Sequence, residues 1–293
     1  MDMVILSASS ANMLQGCERK FVHNYILKTP KDPDWITPGY FKFGRAFHEV
    51  LDVFNHDYRR FDKQTFLDIC KKKHTLSTDD AAKLAACLRS YFGTFPPGRF
   101  EIVGKEVKFK SKLLTGVIDI VLREPEGERW WLADAKTTGL KFEPREIFKA
   151  KLLNDPQIGI YTAFASEIAG YCGVNPEHFQ GFLYRQVEKP RIRMKADELF
   201  DDFSRRCGEP PAREIRLDRD EIKYHEAYDN FLKLSERVWA LQTRIEEEQS
   251  IDCSTQNMKN CVEFGTPCQY FSRCYGKSYA QSKAVSSEVL DCL

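Results

Sequence analysis

Two aspartates and a lysine carry the clearest chemistry in the sequence. Gly116-Val117-Ile118-Asp119-Ile120-Val121 and Trp130-Trp131-Leu132-Ala133-Asp134-Ala135-Lys136 read as apolar strands interrupted by charge. Side chains two apart on a strand share a face, so Asp134 and Lys136 point the same way. A carboxylate in such surroundings is costly to bury unless it is paired or bound to a cation. Two carboxylates converging on one spot suit a hard divalent cation such as Mg²⁺, which prefers oxygen ligands and keeps water or phosphate in its shell. That cation would polarise a phosphoryl oxygen and acidify a bound water. Lys136 would orient the water or offset developing negative charge. A plainer reading fits the same residues: Asp119 ends a strand at the surface and Asp134 simply pairs with Lys136. Spacing alone does not separate the two.

The elements that must position these groups follow from periodicity. Ser7 to Lys28 reads as a helical segment capped by Ser9 or Ser10. Residues 41 to 58 carry Phe43, Phe47, Val50, Leu51 and Phe54 at helical spacing. Residues 62 to 92 read as further helices, ended by Pro96-Pro97-Gly98. Strands are expected at Ile102 to Phe109, Leu113 to Leu122 and Trp130 to Thr137, the last two joined as a hairpin by Glu124-Pro125-Glu126-Gly127. A long helix should follow Asp155-Pro156, where Asp caps and Pro suits the first helical position. Phe179 to Val187 is a fourth strand candidate, and residues 196 to 250 read as mostly helical.

Cys261, Cys268 and Cys274 stand at intervals of seven and six positions, beside Gly265, Pro267 and several aromatics. Thiolates gathered on one loop can wrap a metal centre, and Cys17 is the best fourth ligand, with Cys253 as its alternative. Four thiolates suit a [4Fe-4S] cluster or Zn²⁺. Zinc sites usually show tighter cysteine pairs, which favours iron–sulfur. Tying residue 17 to residues 261–274 closes a loop of about 240 residues, a constraint that contributes several kcal/mol by chain-entropy arguments. Cys70, Cys87, Cys172 and Cys207 read as small buried hydrophobes, and Cys292 as an exposed thiol in a mobile tail.

The chain has 293 residues, 42% of them hydrophobic, enough for a large core. Lys plus Arg number 44 against 43 Asp plus Glu, so any basic footprint must be local. Three basic stretches qualify: Lys108, Lys110 and Lys112; Arg185 to Lys195; and Lys71 to Lys73. Each could contact phosphates, and each alone also fits a solvated face. Tyr and Phe residues near Cys268 could stack on bases. No apolar run reaches the roughly 20 residues that span a bilayer. The expectation is a cytoplasmic protein with no membrane partner.

Taken in order, the motifs resemble the PD-(D/E)XK nuclease superfamily, specifically its RecB-like branch, which includes phage exonucleases and CRISPR-adaptation nucleases. Gly44-Arg45-Ala46-Phe47-His48 resembles the helical motif ending in a metal-binding His. Gly116-Val117-Ile118-Asp119 resembles the Gly-x-x-Asp strand, and Asp134-Ala135-Lys136 the Asp-x-Lys. Gln157-Ile158-Gly159-Ile160-Tyr161 resembles the Gln-x-x-x-Tyr helix. Cys17-Glu18-Arg19-Lys20-Phe21, with the late cysteines, resembles the iron–sulfur subgroup.

The resemblance implies an α/β fold: a restriction-endonuclease-like mixed β-sheet core flanked by helices, with helical additions and a C-terminal cysteine-rich metal-cluster loop. It implies one nuclease domain over 1–293. An N-terminal helical region spans 1–100, the nuclease core 101–190, a second helical region 191–252, the cluster loop 253–276 and a flexible tail 277–293. His48, Asp119 and Asp134 would bind Mg²⁺ or Mn²⁺, with the backbone carbonyl of Ala135, and Glu106 is a further candidate. Lys136 would be the catalytic lysine. Gln157 and Tyr161, four apart on one helix face, would lie over a DNA strand. Cys17, Cys261, Cys268 and Cys274 would hold the cluster.

The implied activity is a divalent-metal-dependent DNase, an exonuclease of recombination, repair or phage DNA metabolism in a bacterial or phage-infected cell. DNA is the expected partner, with recombination, helicase or integrase proteins beside it. A CRISPR-adaptation nuclease that processes DNA ends, a catalytically silent DNA-binding module and an RNA-processing enzyme are the competing readings. The full set of His48, Asp119, Asp134 and Lys136 argues against the silent module.

Overall fold

The computed structural model describes residues 4–33, 35, 37–257, 261–263 and 266–275. The expected tail and Cys292 lie outside the described residues, as do parts of the expected cysteine loop. In chain order the helices α1 (Ala8–Gly16) and α2 (Glu18–Phe21) lead through a π turn (Val22–Ile26) to α3 (Gly39–Val53), α4 (Lys63–Asp68) and α5 (Thr78–Thr94). Strands β1 (Glu101–Lys110), β2 (Thr115–Arg123) and β3 (Trp130–Thr138) follow. Helices α6 (Arg145–Leu153), α7 (Pro156–Ala163) and α8 (Ala165–Cys172) lead to β4 (Phe179–Glu188). After α9 (Phe200–Arg206), β5 (Ala212–Asp218) and α10 (Tyr224–Glu248) come the short pair β6 (Val262–Glu263) and β7 (Thr266–Pro267), then α11 (Phe271–Tyr275).

The chain falls into two compact units. One comprises the described residues of Met1–Pro38, Lys110–Gly116 and His225–Leu293; the other comprises Gly39–Phe109 and Val117–Tyr224. The expected helical regions 1–100 and 191–252 are thus each divided between units.

The larger unit is built on a five-stranded sheet in the order β1-β2-β3-β4-β5. The β2–β3 hairpin is antiparallel, β3 and β4 are parallel across the α6–α8 connection, and β4–β5 is antiparallel. This is the mixed α/β core flanked by helices that the sequence predicts. The apolar stripe of α3 (Phe43, Ala46, Phe47, Val50, Leu51) forms one buried cluster with α5 and with Ala135 and Val187 of the sheet. Asp134 and Lys136 alternate with Ala135, so they project from the opposite face.

Three expectations need correction. The strand β5 lies in a stretch read as helical; there Ile215 and Leu217 are buried and alternate with charged residues. The helix after Asp155-Pro156 is broken into α7 and α8 at Phe164, although Asp155 does cap it, accepting from the Gln157 amide at 2.8 Å. The cap of α1 is Ser7 rather than Ser9 or Ser10: Ser7 and Ser10 form a reciprocal capping box, and the helix stops at Cys17. In β4, Gly181 has φ 133°, and a Cβ there would sit 2.1 Å from the Leu217 carbonyl oxygen, so this crossing of β4 and β5 requires glycine.

In the smaller unit the chain's early and late segments are tied by hydrogen bonds. Glu18, 6% exposed, accepts from Arg237 Nε (2.9 Å), the Thr255 amide (2.7 Å) and the Thr255 hydroxyl (2.9 Å). Asp32 accepts from the Ser272 amide at 3.0 Å and from its hydroxyl, and donates its own amide to the Gln269 carbonyl.

Candidate metal centre

The site gathers at the carboxylate-bearing ends of β2 and β3. The hairpin register pairs Ile120 with Ala133, and one further step sets Asp119 opposite Asp134. Facing residues of an antiparallel pair are direct neighbours. Lys136 Nζ lies 2.8 Å from Asp134 Oδ1 and 3.8 Å from Asp119 Oδ2. From α3, His48 Nδ1 comes within 3.4 Å of Asp119 Oδ2. Ligand atoms of His48, Glu106 and Asp119 all lie within 4.8 Å of one another.

These groups surround a cavity of about 10 Å³, about one water-sized sphere. It is lined by His48, Leu51, Asp52, His56, Glu106, Asp119, Ile120 and Ala135. Asp119 Oδ2 is sealed from solvent with no hydrogen-bond donor, whereas Asp134 Oδ1, also sealed, is met by the Lys136 ammonium at 2.8 Å. A buried Asp119 oxygen without a donor, beside an ion-sized space and next to the Asp134–Lys136 pair, is what a hard cation would satisfy. The donor set fits Mg²⁺ or Mn²⁺.

The electrostatics agree. Burial, then the facing Asp134, pushes Asp119 up to about 9. Burial opposes the charge of Asp134 too, but the Asp119 carboxyl and the Lys136 ammonium more than offset it and hold Asp134 below the usual carboxylate range. Burial pulls Lys136 down, yet Asp134 and Asp119 win, so it is raised and stays an ammonium. His48 is pushed down to about 4 by burial and by Lys136. It is therefore neutral near pH 7, the form in which an imidazole can bind a metal, and its contact with Asp119 is not an ion pair. Glu106 is raised by burial and by Asp52. Its backbone has φ 44° inside a strand, a left-handed value uncommon outside glycine.

The structure places the expected residues as follows. His48, Glu106 and Asp119 converge, Asp134 and Lys136 adjoin them, and Ala135 lines the cavity. Tyr161 on α7 donates to the Val117 carbonyl at 3.3 Å, and is pushed up to about 12 by burial and by Asp119 and Asp134. Gln157, one turn earlier, hydrogen-bonds the Tyr161 hydroxyl. His56 and Asp52 belong to the cavity but carry no sequence signal that marks them.

The basic stretches fare unevenly. Arg185 is not a surface contact: it is buried and pairs with Glu214 at 3.0 Å. Lys189 pairs with Asp80, and Lys72 and Lys73 with Asp68 and Glu49. Lys108, Lys110, Lys112, Arg191, Arg193 and Lys195 are exposed or nearly so. Tyr270 and Phe271 are buried beside Cys268, so they are not free faces for a base. Cys70 and Cys87 are core residues, as expected.

In the smaller unit, burial raises the Cys268 thiol, and Cys261 and Cys17 raise it further. Cys274 is pushed up to about 11 by burial and by Cys268, Cys261 and Cys17. Cys268 and Cys274 thus each feel the charge of Cys261 and Cys17, and Cys253 donates to the Ser250 carbonyl.

A candidate divalent-ion site on a mixed sheet, with a half-exposed lysine ammonium beside it, fits a metal-dependent hydrolytic protein. A family model of the PD-(D/E)XK nuclease superfamily matches residues 5–275, and the chain belongs to that superfamily. No curated protein matches the chain. Membership makes the fold restriction-endonuclease-like and metal-dependent nucleic-acid hydrolysis the expected class of activity. Among the described residues no helix is long and apolar enough to cross a membrane.

Proposed function

We propose that this protein is a DNA exonuclease that requires Mg²⁺ or Mn²⁺. The observation that carries the reading is the donor-less Asp119 oxygen at an ion-sized cavity with His48 and Glu106, beside the Asp134–Lys136 pair. His48, Glu106, Asp119 and Asp134 would hold the ion, with the Ala135 carbonyl as a further donor. The ion would polarise a phosphoryl oxygen and acidify a water. Lys136, held charged by the two aspartates, offsets the negative charge that develops at the phosphorus. Gln157 and Tyr161 present one face of α7 toward the same carboxylates. Recombination, repair or phage DNA metabolism is the setting, in the RecB-like manner; DNA-end processing beside an integrase is the alternative.

The test is digestion of end-labelled single- and double-stranded DNA, and of RNA, with and without Mg²⁺ or Mn²⁺. Wild type is compared with Asp134→Ala and Lys136→Ala. Metal-dependent release of end nucleotides by wild type alone is expected. Equal cleavage by all three would place the chemistry elsewhere, and preferential RNA cleavage would overturn the substrate.

The second part of the reading is a structural [4Fe-4S] cluster on Cys17, Cys261, Cys268 and Cys274. The influence of Cys17 and Cys261 on Cys268 and Cys274 supports it, and the donor set fits. Cys268→Ser is expected to lose the visible chromophore and much of the stability. A colourless wild type that is equally stable and active would sink the cluster, and stoichiometric zinc without iron would replace it.

A further inference from the structure

A chain of hydrogen bonds in the larger unit ends at the ion cavity. Glu214 on β5 accepts from Arg99 at 2.8 Å and from Arg185 Nε at 3.0 Å. Arg185 Nη1 donates to the Tyr91 hydroxyl at 3.3 Å. The Tyr91 oxygen lies 3.2 Å from His56 Nδ1. His56 in turn lines the cavity with His48, Glu106 and Asp119.

The chemistry of the donors gives this chain a direction. A guanidinium has five N–H groups and no acceptor, so the Tyr91 oxygen must accept from Arg185. The hydroxyl hydrogen is then available to His56 Nδ1. Where that hydrogen points to Nδ1, the nitrogen accepts and a neutral imidazole carries its one proton on Nε2. Tyr91 cannot turn away, because it is buried and packs edge-on against Phe47 of α3 at 5.7 Å.

A second observation is independent of the proton count. Asn55 and His56 both have left-handed φ, 54° and 52°, immediately after α3. The His56 amide is fixed to the Leu51 carbonyl at 2.8 Å. Glu106, on the same cavity, is also left-handed. At the end of α3 the left-handed Asn55 and His56, with the His56 amide on the Leu51 carbonyl, form a helix cap that fixes where the His56 side chain leaves the backbone.

We propose that His56 is a positioning residue of the metal cavity: the Arg185–Tyr91 relay locks it as the Nε2–H tautomer, so it donates to a carboxylate or water of the ion's shell and is not itself a ligand. The role rests on the metal-dependent nuclease reading, but the tautomer is measurable without DNA.

The test is long-range ¹⁵N–¹H correlation of the imidazoles in ¹⁵N-histidine-labelled protein, with and without Mg²⁺, and with His56→Gln used to assign the signal. The expected result is an Nε2–H tautomer at His56 that survives Mg²⁺, and a mixed population in Tyr91→Phe. Mn²⁺ titration calorimetry should show affinity about tenfold weaker in His56→Ala, within the usual range for loss of a ligand's hydrogen-bond partner. His56→Gln, which keeps a donor, should recover part of that loss, and both variants should leave KM for DNA unchanged while kcat falls. An Nδ1–H tautomer in wild type, a Mg²⁺-induced shift marking direct ligation at His56, or unchanged Mn²⁺ affinity in a folded His56→Ala would each overturn the assignment. Should Tyr91→Phe fail to fold, the wild-type spectrum still decides. If wild type shows the lock but does not cut DNA, the nuclease reading falls, and the calorimetry alone decides whether His56 serves the ion.

Discussion

Glu18 and Asp119 are both carboxylates withdrawn from solvent, one in each unit, and the protein treats them in opposite ways. Glu18 receives three donors, two from Thr255 and one from Arg237. Burial alone would raise it, but these donors win and its pKa is lowered. Asp119 has an oxygen with no donor, and burial with the facing Asp134 pushes it up to about 9. A satisfied carboxylate stabilises its fold. An unsatisfied one is a standing cost that persists when something absent from the free chain repays it. The contrast separates a structural tie from a binding site without reference to any motif.

The largest effect that would break this contrast is at Asp119. Asp119→Asn keeps the shape and removes the buried charge. DNA cleavage should fall by about a thousandfold or more, since a bound ion contributes several kcal/mol to the transition state and each 1.36 kcal/mol is tenfold. The same substitution should raise the thermal midpoint of the metal-free protein above pH 6, because the cost of ionising Asp119 disappears. A variant that loses both activity and stability would show Asp119 to be structural, like Glu18.

The pH dependence sharpens the point because the two carboxylates have opposite signs. Glu18 is depressed, so its contribution is present above the ordinary value of about 4 and is lost as pH falls through its folded pKa. Asp119 is raised, so the folded state holds a proton that the unfolded chain has released. Stability of the metal-free protein should therefore decline from about pH 4 toward about pH 9 through this group. Chemical denaturation across pH should show both limbs. Glu18→Gln should flatten the acid limb and cost about 1–3 kcal/mol near pH 7, since donors to a charged group lose their partner. Saturating Mg²⁺ should flatten the other limb by displacing the proton. A single monotonic profile, unchanged by Mg²⁺, would contradict the assignment of Asp119.

Sequence reasoning reached the parts of this molecule whose signals are local. The β2–β3 hairpin follows from two apolar runs and a Pro-Gly turn, and α3 from its stripe of Phe43, Phe47, Val50 and Leu51. Asp119, Asp134 and Lys136, which meet at the centre, are visible as types at spacings, and His48 only through the resemblance. What stayed hidden was decided by tertiary context. In β5 only Ile215 and Leu217 mark the strand, while Arg213 and Glu214 resemble a solvated helix until Gln186 and Arg185 are seen to pair with them. Arg185 reads as a phosphate contact in one dimension, but its neighbours turn it inward. His56 reaches the cavity through two left-handed residues, which no periodicity announces.

The smallest expected effect concerns the other half of the contrast. Asp32 joins the early segment to the late one through Ser272, just as Glu18 does through Thr255. Asp32→Ala leaves the Ser272 amide without that acceptor and should cost about 1 kcal/mol. If the four thiols also hold a cluster, the same two segments are closed twice, and the tie should count for less while the cluster is intact. Unfolding free energies of wild type, Asp32→Ala, Cys268→Ser and the double variant form a thermodynamic cycle. A coupling of about 0.5 kcal/mol or more, with the Asp32 loss larger in the Cys268→Ser background, is the expected sign of two closures acting on one joint. Strict additivity would mean that the hydrogen-bonded tie and the cysteine segment stabilise the unit independently.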